Sequence, residues 1–233
     1  LADYLCTVEP ARPWEVLAIT FTNKAAGELK ERLERMLGSE ARDIWAATFH
    51  SACVRILRRD IDKIGFDRSF TIYDTDDSKR VIKDVLKELN LDEKSFPVRE
   101  VLSIISGAKD KMQSVQEFTA QAEGKGDWRM VRIAKVYELY NRRLRDANAL
   151  DFDDIILHTV RLLQHSPETL EYYRNKFRYI LIDEYQDTNQ MQYMLSSLLA
   201  GGHKNICVVG DDDQSIYRFR GADIGNILSF EKQ

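Results

Sequence analysis

The sequence predicts an α/β protein, in which helices flank a parallel sheet and an all-helical subdomain is inserted. Short apolar runs rich in strand-forming residues alternate with helical patterns near both ends of the chain, as is typical of a parallel sheet. Helical periodicity alone covers the middle. We therefore divide the chain into a first α/β part, residues 1–69, the helical insertion, residues 70–149, and a second α/β part, residues 150–233.

The first part contains two strand-helix units. Trp14–Phe21 is predicted to be a strand, and Thr22 and Asn23 supply the side chains that commonly begin a helix. The same order then repeats, with a predicted strand over Ile44–Phe49 that leads through His50 into a second helix. Two consecutive units of this kind predict neighbouring parallel strands.

The middle of the chain predicts several amphipathic helices. Apolar residues at helical spacing predict a helix over residues 81–89, and Pro97 is expected in the first turn of the next one. Ser114 and Glu117 have the spacing of a capping box, and residues 128–144 form a long candidate helix. No strand is expected in this block.

Strand and helix alternate again in the last part. Leu150–Asp154 is predicted to begin a helix whose apolar side includes Phe152, and Pro167 to begin another. Apolar runs at Tyr179–Ile182 and Ile206–Val209 predict two more strands. The sheet is therefore expected to be discontinuous in sequence.

The composition excludes several classes of protein. With 233 residues and 44% hydrophobic content, the chain is that of an ordinary globular protein. Its three cysteines are too few and too scattered for a disulfide framework or a zinc site, and no apolar run is long enough to span a membrane. The net charge is −4, and residues 150–233 hold 13 acidic against 8 basic residues. The acidic excess therefore lies in the last part.

Asp183 and Glu184 follow the apolar run Tyr179–Ile182 directly. Two carboxylates at the carboxyl end of a parallel strand lie where α/β sheets bind ligands. The first is suited to hold Mg²⁺ and the second to deprotonate an attacking water. The alternative is that both merely cap a following helix, but the longer pattern Asp183–Asn189 favours the chemical interpretation.

A second acidic segment, Gly210–Asp213, follows the last predicted strand. Gln214 could sense a terminal phosphate without repelling it. Beyond it, Tyr217, Phe219 and Arg220 belong to an alternation of aromatic and cationic side chains that suits single-stranded nucleic acid. An acidic turn followed by core aromatics and solvated arginines is the alternative.

Phe21, Thr22 and Asn23 lie where a strand meets the amino terminus of a helix. Such a junction can bind backbone phosphate, and Phe21 could present its ring to a base. Thr48 and His50 have the same arrangement. For each segment, a simple helix cap beside a core aromatic is the alternative.

Two charged clusters allow two interpretations each. The basic cluster either lines a nucleic-acid path or is a solvated helix face, and the acidic cluster either binds a metal or stabilises a helix terminus. We favour the second interpretation in both cases. The clusters are Arg55, Arg58 and Arg59, and Asp151, Asp153 and Asp154.

The chain contains no Gly-x-x-x-x-Gly-Lys-Ser/Thr phosphate loop, since its one Gly-Lys pair, Gly124-Lys125, lies in a polar stretch. It begins at Leu1 in what looks like the middle of a helix. We therefore expect a fragment of an ATP-driven motor whose phosphate loop precedes Leu1.

Five segments together closely resemble superfamily 1 DNA helicases of the UvrD/PcrA/Rep group. They follow the order expected for that family and extend over almost the whole chain. The segments are Ala18–Ala26, Thr48–Ser51, Leu150–Asp154, Ile182–Asp187 and Gly210–Ala222.

The resemblance implies a RecA-like first motor domain with an inserted helical subdomain, using ATP and Mg²⁺. By motif position it implies that Asp183 holds Mg²⁺, that Glu184 is the catalytic base and that Gln214 senses the γ-phosphate. The residues assigned to single-stranded DNA, by motif or by their place beside one, are Phe21, Thr22, Asn23, His50, Tyr217, Phe219 and Arg220.

The implied activity is 3′ to 5′ translocation on single-stranded DNA and unwinding of duplex DNA in repair or replication. The implied partners are single-stranded DNA, its junction with a duplex, and a second motor domain beyond Gln233, with no membrane. We expect a bacterial cytoplasmic, nucleoid-associated protein, and an isolated chain that is inactive. The alternatives are the motor subunit of a recombination helicase-nuclease and a non-catalytic DNA-binding module.

Overall fold

A computed structural model of the chain describes residue 6 and residues 11–210. Its main sheet has four parallel strands in the order β2-β1-β5-β6. These strands are β1 (Val16–Thr20), β2 (Trp45–Thr48), β5 (Tyr179–Ile182) and β6 (Ile206–Val208).

One of the two inner strands of this sheet, β1, is buried along its whole length. All five residues of β1 are buried, because helices cover both faces of the sheet. Continuous apolar strands of this kind are typical of a parallel sheet covered on both sides. The RecA-like α/β architecture expected from the sequence is thereby confirmed.

Among residues 11–210, five helices belong to the α/β part. They are α1 (Asn23–Leu37), α2 (Phe49–Asp60), α7 (Phe152–His165), α8 (Pro167–Lys176) and α9 (Gln190–Ala200). One buried cluster joins Leu17 and Ile19 of β1 to α2, α7 and α9. A smaller cluster on the other face joins Val16 and Ala18 to Leu33 of α1. Successive side chains of β1 therefore pack alternately into two separate cores, one on each face of the sheet.

Residues from the middle of the chain form a separate buried cluster. Its helices are α3 (Thr75–Glu88), α4 (Val98–Asp110), α5 (Val115–Gly124) and α6 (Trp128–Asp146). The cluster includes Ile82 and Val85 of α3, Ile105 of α4, and Tyr137 and Tyr140 of α6. Ser114 and Glu117 form the predicted capping box of α5, since each side chain bonds the backbone nitrogen of the other residue. We call these four helices the helical part.

Two short strands join the helical part to the α/β part. The strands β3 (Thr71–Ile72) and β4 (Ala149–Leu150) pair in parallel, with Thr71 beside Ala149 and Ile72 beside Leu150. The expectation of no strand in residues 70–149 was therefore wrong at both ends of that block. Two residues are too few to give a periodic signal in the sequence.

Other details of the prediction also need correction. Trp14 lies in a 3-10 turn before β1 rather than in the strand, and it is 46% exposed. Pro97 precedes the first helical residue of α4, Val98, instead of lying inside the first turn. Phe152 is 54% exposed, so it does not belong to the apolar side of α7. In the part of the chain that the structure describes, no helix has the length and hydrophobicity needed to cross a membrane.

Candidate functional site

The carboxyl ends of the main-sheet strands meet at one edge. Thr20 of β1 lies beside Thr48 of β2, and Ile19 lies beside Ile182 of β5. Asp183 follows β5 directly, and its backbone nitrogen donates to the Ile19 carbonyl oxygen at 3.0 Å. The predicted site segments at Phe21, His50 and Asp183 are therefore brought to the same edge, where α/β proteins bind ligands.

Both carboxylates at the end of β5 are exposed to solvent. The Asp183 Oδ1 atom accepts a hydrogen bond from the Glu184 backbone nitrogen at 3.1 Å. Glu184 Oε2 accepts from the Gln186 side-chain nitrogen at 2.6 Å. Gln186, which sequence reasoning did not single out, thus fixes one oxygen of the Glu184 carboxylate.

Neither carboxylate caps a helix. The helix that follows, α9, is capped by Asn189, whose Oδ1 accepts from the Gln192 backbone nitrogen at 3.0 Å. The 3-10 turn Tyr185–Asp187 has no side-chain cap. The capping alternative for Asp183 and Glu184 is therefore wrong, and their place at the sheet edge requires another explanation.

The backbone at Glu184 is in the left-handed region, with φ of 52°. For a residue with a Cβ atom this conformation costs about 1–2 kcal/mol. The segment is nevertheless anchored, because the Tyr185 nitrogen donates to the Val209 carbonyl oxygen at 2.8 Å and the Asp187 nitrogen donates to the Glu184 carbonyl oxygen at 3.0 Å.

The carboxyl group of Asp187 lies near that of Glu184. Burial, assisted by the nearby Glu184 charge, raises the pKa of Asp187.

The exposed carboxylate of Asp183 is the kind of ligand that Mg²⁺ accepts. A groove of about 700 Å³ opens beside it, and its lining combines Thr20 and Arg32 with apolar residues such as Leu29 and Leu181. Mg²⁺ keeps several waters and binds proteins through one or two carboxylates, so one exposed aspartate suffices. Among the described residues, no three His, Cys, Asp or Glu side chains gather as a ready metal cage.

The segment after β1 begins a helix, as the sequence predicts. Thr22 caps α1, since its Oγ1 accepts from the Ala25 backbone nitrogen at 3.1 Å. Thr22 and Asn23 are exposed and Phe21 is half-buried, with its ring 5.5 Å from that of Phe49. Capping and ligand contact are compatible here, because the cap uses the Thr22 hydroxyl as an acceptor and its O–H can still donate to a ligand.

The segment after β2 has the same build. Thr48 caps α2 by accepting from the Ser51 backbone nitrogen at 3.2 Å. The His50 ring lies 4.5 Å from the exposed ring of Phe152, between centroids. Phe152 therefore adds an aromatic surface to this edge, which sequence reasoning missed because the helical pattern assigned it to the core.

Four predicted site residues lie outside the described residues. They are Gln214, Tyr217, Phe219 and Arg220. Their assigned roles remain predictions.

The basic cluster on α2 stacks on aromatic rings. The guanidinium carbon of Arg55 lies 3.7 Å from the Trp45 ring centroid, and that of Arg59 lies 3.4 Å from Tyr172. Arg58 lies over Phe70 at 3.8 Å. Each arginine is exposed and also lies over a neighbouring ring, which agrees with the solvated helix face favoured above.

A buried charge network also escaped sequence reasoning. Lys109 is fully buried, and its Nζ lies 2.6 Å from Asp151 Oδ2 and 2.7 Å from Asp154 Oδ1. The signal was available, because Lys109 follows Val101 and Ile105 at intervals of four, on the buried face of α4. The two aspartates stabilise the first turn of α7, as favoured above, and they also neutralise this lysine.

Comparison with known proteins gives one family for nearly the whole chain. Residues 2–233 match the family described as the UvrD/REP helicase N-terminal domain.

Individual relatives agree with this match. The chain is 56% identical over 229 residues to the ATP-dependent DNA helicase PcrA of Bacillus subtilis (strain 168). It is 55% identical over 229 residues to the proteins of the same name from Staphylococcus epidermidis (strain ATCC 12228) and Staphylococcus aureus (strain COL). Each alignment covers 98% of this chain but only 31% of the relative. The chain thus spans about a third of the length of these relatives.

Proposed function

Because the chain belongs to the family of the UvrD/REP helicase N-terminal domain, we propose that it is the first motor domain of an ATP-dependent DNA helicase. The observation that carries this proposal is the exposed pair Asp183 and Glu184 at the carboxyl edge of the parallel sheet. Their position is the one that nucleotide hydrolysis requires of a metal-binding carboxylate and a base.

We assign Asp183 to Mg²⁺ and Glu184 to the attacking water. Mg²⁺ bound with ATP would supply positive charge to the phosphates, and Asp183 would hold it. Glu184 Oε2 accepts from Gln186 at 2.6 Å, which orients the carboxylate so that Oε1 can accept the proton of the water. Gln214 is proposed as the γ-phosphate sensor.

We assign the neighbouring junctions to single-stranded DNA. Phe21 and His50 present half-buried rings and Thr22 and Asn23 present exposed polar groups at the same edge. Aromatic rings beside hydrogen-bond donors suit a strand whose bases stack and whose phosphates accept hydrogen bonds. We propose movement from 3′ to 5′ along the strand and unwinding at its junction with a duplex. The remaining proposed contacts are Tyr217, Phe219 and Arg220.

The proposal extends to the organisation of the whole protein. We propose that residues 1–69 and 150–233 form the motor domain and residues 70–149 an inserted subdomain. The phosphate loop and a second motor domain are expected in the two thirds of the relatives' length that this chain does not span. The 233 residues alone are therefore expected not to hydrolyse ATP. Because the relatives are bacterial, we place the activity in DNA repair or replication at the chromosome, in the cytoplasm.

The decisive experiment measures ATP hydrolysis with and without single-stranded DNA, for the gene product that contains this chain and for its Glu184→Gln variant. We expect DNA-stimulated hydrolysis in the parent and a decrease of roughly 10²–10⁴-fold in the variant, as is usual when a general base is removed. The Glu184 side chain is exposed and glutamine has the same shape, so the fold should be retained. Unchanged thermal unfolding of the variant is the control. A parent that binds DNA without hydrolysing ATP would support the non-catalytic binding module instead.

A further inference from the structure

The end of α4 reaches from the helical part into the α/β part. Its residue Lys109 inserts between Asp151, the N-cap of α7, and Asp154 in the first turn of that helix, at 2.6 and 2.7 Å. The Tyr140 hydroxyl of α6 donates to Asp151 Oδ2 at 2.8 Å. The group therefore joins two helices of the helical part to one helix of the α/β part.

This group is charged and buried. Burial alone lowers the pKa of Lys109, but the charges of Asp151 and Asp154 outweigh burial and raise it well above its usual value. Removing one partner of such a group leaves an uncompensated buried charge, so its geometry is strongly constrained. The position of residue 109 relative to α7 is thereby fixed.

The next residue, Asp110, contacts a different helix of the α/β part. Its Oδ1 accepts a hydrogen bond from Asn189 Nδ2 at 3.0 Å. The Asn189 Oδ1 atom accepts from the Gln192 backbone nitrogen, as the N-cap of α9. The amide nitrogen of Asn189 therefore bonds to the helical part, while its amide oxygen caps α9.

Only four residues separate Asn189 from Glu184, and this stretch is held internally. The Thr188 hydroxyl donates to the Tyr185 carbonyl oxygen at 2.7 Å, and both residues are buried. The Asp187 nitrogen donates to the Glu184 carbonyl oxygen at 3.0 Å. Because this short stretch is hydrogen-bonded within itself, a displacement of Asn189 would also displace Glu184.

We propose that Lys109 and Asp110 are positioning residues that tie the helical part to the segment carrying Glu184. Lys109 fixes the end of α4 against α7, and Asp110 uses that fixed point to hold Asn189 and the turn before it. A shift of the helical part on binding DNA would then alter the placement of the Glu184 carboxylate. This inference rests on the proposed function, because it assigns the positioned group to ATP hydrolysis.

The test exchanges the two side chains that meet between α4 and α9, in the gene product that contains this chain. Asn189→Asp places two carboxylates against each other, and we expect the kcat of DNA-stimulated ATP hydrolysis to decrease by roughly tenfold, with KM for ATP unchanged. The double variant Asp110→Asn/Asn189→Asp restores an amide facing a carboxylate with the polarity reversed. It should return kcat to within roughly twofold of the parent.

Glu117→Gln is the matched control, because Glu117 is a carboxylate of the helical part that only caps α5. It should leave kcat unchanged. If Asn189→Asp does not fold, Asp110→Ala replaces it, since it removes the acceptor of the Asn189 amide without adding charge. Parental kcat in the single variants, or equal loss in the single and double variants, would overturn the proposal. A parent without DNA-stimulated hydrolysis refutes the proposed function itself, so the two failures are distinguishable.

Discussion

Two pairs of acidic residues, Asp183-Glu184 and Asp151-Asp154, look alike in sequence and differ in the folded chain. Each pair follows a strand and stands near the start of a helix or turn. The first pair is exposed at the edge of the main sheet. The second is buried, and the two carboxylates share the ammonium group of Lys109.

The difference shows what separates a chemical carboxylate from a structural one. A carboxylate that is to bind Mg²⁺ or accept a proton from water must be reachable by solvent. A carboxylate that stabilises a junction must instead be neutralised by a protein cation, because unpaired burial is costly. Burial raises the pKa of Asp154 to about 7 against the opposing effect of Lys109, whereas the Lys109 ammonium outweighs burial at Asp151 and lowers its pKa.

The largest effect on stability is expected at the buried pair. Lys109→Met leaves two buried carboxylates without a cation and should lower the local free energy of opening by about 3–5 kcal/mol. Hydrogen exchange of the backbone amides in α4 and α7 measures this change in the gene product. Lys24→Met is the matched control, because Lys24 is 89% exposed and its contact with Glu28 is 3.9 Å long; it should change stability by less than about 0.5 kcal/mol.

Adding Asp151→Asn and Asp154→Asn to Lys109→Met sharpens the comparison. These changes remove the uncompensated charges and should recover much of the lost stability. A loss under about 1 kcal/mol for Lys109→Met alone would mean that water reaches the buried pair, and the contrast with Asp183-Glu184 would fail.

An intermediate effect is expected at His158, beside the buried pair. Burial, assisted by the charges of Arg161 and Lys109, lowers the pKa of His158 from 6.5 to about 3. The folded protein then binds fewer protons at this site than the unfolded chain, so stability present above pH 6.5 is lost as the pH falls toward 3. His158→Gln should therefore gain about 2 kcal/mol relative to the parent between roughly pH 7 and pH 5.

Chemical denaturation of both proteins at the two pH values measures this difference. The raised pKa of Asp154 acts in the opposite direction. Both proteins retain Asp154, but its Oδ1 lies 3.8 Å from His158 Nε2, so only the part of its contribution that does not depend on His158 cancels from the difference between them. Parallel pH profiles for His158→Gln and the parent would show that folding does not lower the pKa of His158.

The smallest effect is expected at the exposed pair. Glu184→Gly and Glu184→Ala both remove the carboxylate and its bond to Gln186, but only glycine relieves the positive φ. The glycine variant should be more stable by about 0.5–1 kcal/mol, after its greater chain entropy is subtracted. Equal stability of the two variants, measured by denaturant unfolding, would contradict the left-handed backbone at this residue.

Much of the fold was predictable because its signals are local. The apolar run before Asp183 and the cap at Thr22 each depend on a few adjacent residues, and both are confirmed. The strands β3 and β4 were missed because two paired residues leave no pattern. Phe152 was assigned to the core because helical periodicity cannot tell a ring that covers the core from one at the margin.

The candidate site, like the fold, was predicted only where its signals are local in the sequence. The sequence indicated that Asp183, Glu184 and Phe21 lie at strand ends, and parallel pairing brings such ends to one edge. The sequence did not indicate that Lys109 meets Asp151, since 42 residues separate them and only tertiary packing brings them together. The bond between Asp110 and Asn189 spans 79 residues and was missed for the same reason.

The pairing of β3 with β4 has a consequence for how this architecture can vary in length. The chain leaves the α/β part at Ile72 and returns at Ala149, and adjacent paired strands lie roughly 4.8 Å apart. Relative to the β3-β4 pair, the residues between Ile72 and Ala149 form a loop whose two ends are held side by side by the strand pairing. Doubling such a loop costs only about 0.6 kcal/mol in closure entropy. Evolution could therefore lengthen or shorten this segment while the sheet and its carboxylates persist, provided that the contacts of Lys109 and Asp110 with the α/β part are kept.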